Sequence, residues 1–316
     1  MSKIILTEYN VTNHLLKKHT KIATFGDIHG EYGILESFKD IMKDLKVTAV
    51  LITGDMIESV VGSDYSREKI VELLQEISKY ATIVCALGNH DGVYKPGVSE
   101  EDRDRICTEN YYLWSKLRNT DNVYVPKLPE GEATATQVHL TDDIDVCIVN
   151  MPMDYYWFRE NPKEYVDYIR TLEMLQLSSE KFNMLLAHSP KNIVNGNSID
   201  EYIKNLKKIN MILSGHMHAG LIPYNLRNNS GIGLTGPGKK MFPKNSYGVV
   251  EDEGVISLTT GGATKIADGS FGAPIKEIPG VKKLLDVIYP PELEIINLNP
   301  GMDNTINKVK ELRYKD

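Results

Sequence analysis

The apolar run Ile83-Val84-Cys85-Ala86-Leu87, followed at once by Gly88-Asn89-His90-Asp91, decides how this chain folds. Five apolar residues ending at a glycine read as a buried strand that stops at a tight turn. In an open α/β sheet, ligands bind in the crevice at the carboxyl ends of the strands, so Asn, His and Asp arrive where chemistry is done. The same signature recurs in four places. Ile22–Phe25 runs into Gly26-Asp27-Ile28-His29-Gly30, and Ala49–Thr53 runs into Gly54-Asp55. Met184–Ala187 ends at His188, and Ile209–Leu213 ends at Ser214-Gly215-His216-Met217-His218.

Working outward, apolar residues at Ile34, Leu35, Phe38, Ile41, Met42 and Leu45 fall at three- and four-residue steps and predict an amphipathic helix between the first two core strands. A second helix is signalled by Ile70, Leu73, Leu74 and Ile77. Alternation of strand and helix gives βαβ units and a largely parallel arrangement. Residues 3–9 read as an edge strand, and 144–149 and the stretches 255–259 and 293–298 as further strands. Short helices are expected near 109–117 and from about 162 to 177. The segment 221–245, rich in Gly, Pro and Asn, reads as a surface loop or lid. The chain is expected to be a single domain over 1–316, with a strand-containing extension from about 246 and an exposed end around 308–311.

A length of 316 residues, 41 % hydrophobic and 25 % charged, is enough to bury a sizeable core. With 36 basic and 43 acidic side chains, the net charge of −7 disfavours bulk attraction to nucleic acid or anionic membrane. No run reaches the roughly 18 apolar residues of a membrane span, and Met1–Leu6 lacks the apolar length of a signal peptide. Cys85, Cys107 and Cys147 are few and scattered, which points to reduced thiols in a cytoplasmic protein.

Five of the eight histidines stand at strand ends, beside two aspartates and an asparagine in equivalent places. Any one of these, like a lone Asp after Gly, is ordinarily a turn residue or a cap; structural satisfaction explains the set poorly. His14, His19 and His139, by contrast, read as surface or strand histidines. Carboxylate and imidazole donors without thiolate suit Mn²⁺, Fe, Zn²⁺ or Co²⁺. Eight donors exceed the needs of one ion. A two-metal centre, its ions about 3.5–4 Å apart, would use Asp27, His29, Asp55, Asn89, His188, His216 and His218 and leave His90 over.

Gly-Asp-x-His-Gly, Gly-Asp, Gly-Asn-His-Asp, a lone His after a strand and Gly-His-x-His, in this order over residues 26–218, resemble the calcineurin-like metallophosphoesterase family. The Gly-His-Met-His-Ala-Gly form of the last motif, the N-terminal strand and Pro290-Pro291-Glu292-Leu293 are similar to a bacterial branch of general phosphohydrolases. The resemblance implies a four-layer αββα sandwich of two mixed β-sheets flanked by helices, and a phosphoester hydrolase with two divalent metal ions and a bridging hydroxide. It implies that Asp27, His29 and His218 hold one ion, that Asn89, His188 and His216 hold the other, and that Asp55 bridges them. It further implies that His90 acts on the leaving oxygen as a general acid, and that Asp91 orients His90 by accepting a ring N–H. Phosphodiesters are the expected small-molecule substrates, with phosphomonoesters, nucleic acid or a non-catalytic scaffold role as alternatives. Tyr94, Tyr156 and Arg159 are the expected substrate contacts, and Lys95 and Lys239-Lys240 are further candidates by position.

Overall fold

The computed structural model of the chain describes residues 4–57, 64–91, 100–127, 134–150, 171–189, 206–228, 230–236, 240–252, 254–263 and 281–314. In chain order the strands are β1 (Ile4–Asn13), β2 (Thr20–Phe25), β3 (Ala49–Ile52), β4 (Thr82–Cys85), β5 (Val123–Tyr124), β6 (Thr134–His139), β7 (Ile144–Asn150) and β8 (Phe182–Leu186). They continue with β9 (Ile209–Ser214), β10 (Thr235–Gly236), β11 (Lys240–Met241), β12 (Gly248–Asp252), β13 (Val255–Thr259), β14 (Glu292–Pro300) and β15 (Thr305–Tyr314). The helices are α1 (Tyr32–Asp44), α2 (Asp64–Ile77), α3 (Glu100–Arg118) and α4 (Val281–Ile288).

The strands form two mixed sheets, giving an α/β sandwich of sheets with flanking helices. One sheet runs β15-β1-β14-β2-β3-β4-β5, with β2 to β5 parallel, and the other runs β12-β13-β9-β8-β7-β6, with β13, β9, β8 and β7 parallel. Crossovers through α1, α2 and α3 return the chain to each next parallel strand, as the helical periodicity requires. The period-2 alternation of a strand then fills two cores. Ala23, Phe25, Val50, Ile52, Ile83 and Cys85 pack beneath Leu35 and Phe38 of α1, Ile70 and Leu74 of α2 and Trp114 of α3. Ile22, Leu51 and Val84 face the other way and meet Val146, Ile148, Met184, Met211 and Leu213 of the second sheet. Each Val, Leu, Ile, Phe or Met side chain among them, fully removed from water, contributes about 1.5–3 kcal/mol.

Several expectations change. The first strand is not an edge strand: β1 lies between β15, antiparallel, and β14, parallel. The residues expected as an exposed end, 308–311, are exposed and belong to β15, and β12 to β15 supply both sheets. The helix expected near 109–117 is longer and begins at Glu100. The one expected from about 162 starts outside the described residues, and within them 171–174 is a single 3₁₀ turn against β6 and β7. Within the segment expected as a surface loop or lid, 221–245, the described residues form 3₁₀ turns and a short antiparallel pairing of β10 with β11.

Candidate metal centre

The parallel strands of the two sheets deliver their carboxyl ends to one place. Asp27 and His29 follow β2, Asp55 follows β3, and Asn89 to Asp91 follow β4. Across the sandwich, His188 follows β8, and His216 and His218 follow β9. The backbones lock together before any side chain takes part. Asp27 N–H donates to Gly54 O (2.9 Å), His29 N–H to Asp55 O (2.9 Å) and Gly215 N–H to His188 O (2.9 Å). The two sheets are joined by His216, whose N–H meets both Asp27 carboxylate oxygens at 3.2 and 3.1 Å.

Glycine is needed where these loops touch. A Cβ on Gly88 would lie 2.2 Å from Asp55 Oδ1, and Gly54 adopts φ +104°, outside the range of L side chains. The ligands themselves carry unfavourable backbone. Asp27 (φ 55°), His29 (49°), Asp55 (54°), His216 (67°) and His218 (46°) are all left-handed, a conformation uncommon outside glycine and concentrated at functional sites.

The side chains converge as three overlapping groups. Asp27, His29 and His218 bring one donor atom each within 4.8 Å of one another, and Asp55, His188 and His216 do the same, as do His29, Asp55 and His90. Asp55 Oδ2 is 3.2 Å from His188 Nε2 and 3.8 Å from His29 Nε2, so it reaches toward the first two groups. That oxygen is buried and has no hydrogen-bond partner, although its fellow Oδ1 accepts the His90 N–H at 2.7 Å. His188 donates through Nδ1 to the Thr53 carbonyl (2.8 Å), which presents Nε2 to the site, 3.1 Å from Asn89 Oδ1. Donors sharing a cation at about 2.1 Å stand about 3 Å apart at right angles. An orphaned buried carboxylate oxygen among imidazoles at these spacings fits a divalent cation on either side of Asp55.

The electrostatics agree. Burial alone would lower the His188 pKa, but the Asp55 and Asp27 charges and the Thr53 bond raise it to about 9. Burial would raise Asp55, yet His188, His90 and His29 hold it well below the usual carboxylate range. The negative charges of Asp55 and Asp27 thus favour a positive charge beside them.

His90 belongs to the third of these groups, its ring edge-on to His29 at 4.6 Å between centroids and a ring nitrogen within 4.8 Å of a His29 nitrogen and an Asp55 carboxylate oxygen. Asp91 differs from expectation. Its Oδ2 accepts the N–H groups of Asp55 (2.7 Å) and Gly88 (2.8 Å), and its Oδ1 those of Met56 (2.9 Å) and Ile57 (3.0 Å). The carboxylate thus clamps the Asp55 turn to the Gly88 turn and does not take a proton from the His90 ring. Asn110 and Trp114 of α3 donate to the Asp91 carbonyl and fix the clamp from behind. Burial and the Asp55 charge push the Asp91 pKa up, against the pull of the amides.

The turn 260–263 after β13 was not anticipated. Thr260 N–H donates to Ser214 O, Ala263 N–H to Gly26 O, and a Cβ on Gly262 (φ +80°) would come within 3.2 Å of Asp27 Oδ2. Its signal was present in the strand Val255–Thr259 that runs into Gly261-Gly262. Tyr94, Lys95, Tyr156, Arg159 and Lys239 lie outside the described residues, and Lys240 is described only in its backbone, as the start of β11. His139 is largely exposed and bonded to Asp145 (2.7 Å). Among the described residues no helix is long and apolar enough to cross a membrane.

Residues 20–220 match the calcineurin-like phosphoesterase family. Solved structures that resemble the chain include a dimetal phosphatase from Danio rerio, at 11 % identity, 79 % of this chain and 90 % of that one, with a TM-score of 0.40. A predicted phosphoesterase from Streptococcus pneumoniae TIGR4 matches at 13 % identity over 79 % and 76 %, TM-score 0.31. An archaeal phosphodiesterase matches at 13 % identity over 77 % and 85 %, TM-score 0.33. No curated protein matches the chain at a comparable level.

Proposed function

The chain belongs to the calcineurin-like phosphoesterase family and is a phosphoester hydrolase, and we propose that it cleaves small-molecule phosphodiesters at a dinuclear metal centre. The observation that carries this reading is Asp55 Oδ2, a buried oxygen without a hydrogen-bond partner set between the His29 and His188 nitrogens. Asp27, His29 and His218 would hold one divalent ion and Asn89, His188 and His216 the other, with Asp55 shared. The all-oxygen and nitrogen donor set suits Mn, Fe, Zn or Co. When bound, two such ions neutralise charge on the phosphoryl group and bring a hydroxide into existence near neutral pH.

The chain's own residues do the rest. The loop-to-loop backbone bonds and the Asp91 clamp hold the donors at fixed spacing, which supports in-line attack without rearrangement. His90, edge-on to the His29 ring, would give a proton to the departing oxygen. Diesters are put first on the motifs' resemblance to branches that cleave them. Cys85 and Cys147, both buried and free, support a reducing compartment, and we assign the protein to the cytoplasm.

The test is metal content of the purified protein together with hydrolysis of bis-p-nitrophenyl phosphate and p-nitrophenyl phosphate in added Mn²⁺. About two metals per chain with diester cleavage is the expected result. Metal with monoester cleavage alone would reverse the substrate class. Cleavage of single-stranded DNA ahead of the small diester would make the protein a nuclease, and absence of metal and activity would leave a scaffold.

A further inference from the structure

The turn that carries His218 also carries an apolar surface. In the group Asp27, His29 and His218 the side chains are 0, 1 and 19 % exposed, so the group opens to solvent on the His218 side. The 3₁₀ turn His218–Leu221 begins there, and the β10–β11 pair is fastened to it. Gly220 N–H donates to Met217 O (2.7 Å), Leu234 N–H to Gly220 O (2.8 Å) and Phe242 N–H to Leu234 O (3.1 Å). These bonds lead stepwise from the last ligand motif to the pair. Packing is equally close. A Cβ on Gly220 would lie 2.2 Å from Gly233 Cα, and one on Gly236 would lie 3.3 Å from Cε of Met217, the residue between His216 and His218.

What the pair presents to water is apolar. Ile232 and Met241 are exposed, and Leu234 and Phe242 stand 48 and 64 % open. One exposed apolar side chain is ordinary, but several on one short pair of strands form a patch kept for contact. The register Thr235↔Met241, extended by one residue, sets Leu234 opposite Phe242, and opposed residues of an antiparallel pair project to the same side. Phe242 (φ 51°) and Leu221 (φ 50°) are also left-handed. Bulky residues in that conformation are outliers that persist where the surroundings fix them, and they concentrate at functional sites.

We propose that Leu234 and Phe242 bind a hydrocarbon ester group of the substrate, so that the enzyme prefers diesters with an alkyl chain beside the phosphate. The inference rests on the diesterase reading of the metal centre and narrows its substrate class. A diester carries two organic groups on one phosphorus, and with the phosphate at the buried donors they must extend toward the open His218 side. Other occupants fit less well. A net charge of −7 disfavours an anionic membrane, and a few side chains fall short of the roughly 800 Å² that a stable protein partner covers.

The experiment is calorimetric titration of the Mn²⁺-loaded full chain with dimethyl phosphate and dibutyl phosphate, with hydrolysis of bis-p-nitrophenyl phosphate followed in parallel. Dibutyl phosphate should bind about tenfold or more tightly than dimethyl phosphate. Phe242→Asn removes the ring while suiting left-handed backbone, and Leu234→Ser removes its opposite. Each should lower the dibutyl preference about threefold or more, with melting temperature and metal content unchanged, and either decides the question alone should the other fail to fold. Equal Kd values for the two phosphates, or a preference that survives both substitutions, overturn the proposal while diester cleavage stands. A preference for dibutyl phosphate without cleavage of any diester upholds the surface and overturns the diesterase reading, so the two fail separately. Binding to phosphatidylcholine vesicles, or a dimer, that the same substitutions abolish without any dibutyl preference would give the patch to a membrane or a second copy and overturn the proposal.

Discussion

The metal cluster and the cavity of about 410 Å³ lined by Tyr9, Arg227, Gly261, Glu292 and Glu294 meet at the turn 260–263, where Gly261 lines the cavity and Gly262 approaches Asp27, and they are built on opposite principles. At the front, five of the seven candidate ligands sit in left-handed backbone, and their donor atoms gather within 4.8 Å of one another in overlapping groups. Behind that turn, Tyr9, Arg227, Glu292 and Glu294 all have ordinary backbone and project from regular strands or a short turn. The difference teaches where strain is admissible. It is confined to loops whose geometry is over-determined by amide-to-carbonyl and amide-to-carboxylate bonds, and it is absent where strand pairing already fixes the side chain.

That contrast can be broken most sharply at Asp55. Asp55→Ala should abolish both ions together and lower turnover by about four powers of ten, read by metal analysis and steady-state kinetics. One ion retained at full occupancy would refute sharing. His90→Ala should lower turnover by about two to four powers of ten with both metals kept, and loss of metal there would make His90 a ligand. At the back, Arg227→Met removes the guanidinium that meets the Glu292 oxygens at 2.8 and 2.7 Å and should destabilise the fold by about 3–5 kcal/mol in denaturant titration, with metal stoichiometry unchanged. A parallel loss of metal would show that the two sites are one mechanical unit. The smallest effect is expected at Asp91→Asn, about 1–3 kcal/mol of stability with weakened metal binding. The pH profile of turnover should keep its shape in that variant if Asp91 clamps loops, and should shift if it tunes His90.

The front site was legible in the sequence because each strand and the ligand it delivers are neighbours in the chain. Asp27, Asp55, Asn89, His188 and His216 could all be found from the residues that stand directly after an apolar run. The role of Asp91 was not legible, because its four amide partners include three residues more than thirty positions away. Adjacency to His90 suggested a pairing, whereas four backbone amides occupy both oxygens of the carboxylate. The placement of β1 failed for the same reason, since its partners are nearly 290 residues distant. The cavity left no sequence signal at all: Tyr9, Arg227 and Glu294 come from three separated segments, and each alone reads as an ordinary strand or turn residue.

The insertion of β14 between β1 and β2 bears on how the molecule is made. β1 and β2 leave the ribosome almost together, yet they cannot be joined until β14 has been synthesised and slides between them. The helical units around α1 to α3 can condense early through short-range contacts, whereas β1 waits for β14, which follows it only after β2 to β13. During that interval β2, which positions Asp27, carries an open edge. Nascent chains halted before residue 292 should therefore be captured by holdase chaperones, and release of the finished chain should be the step that seals the sheet.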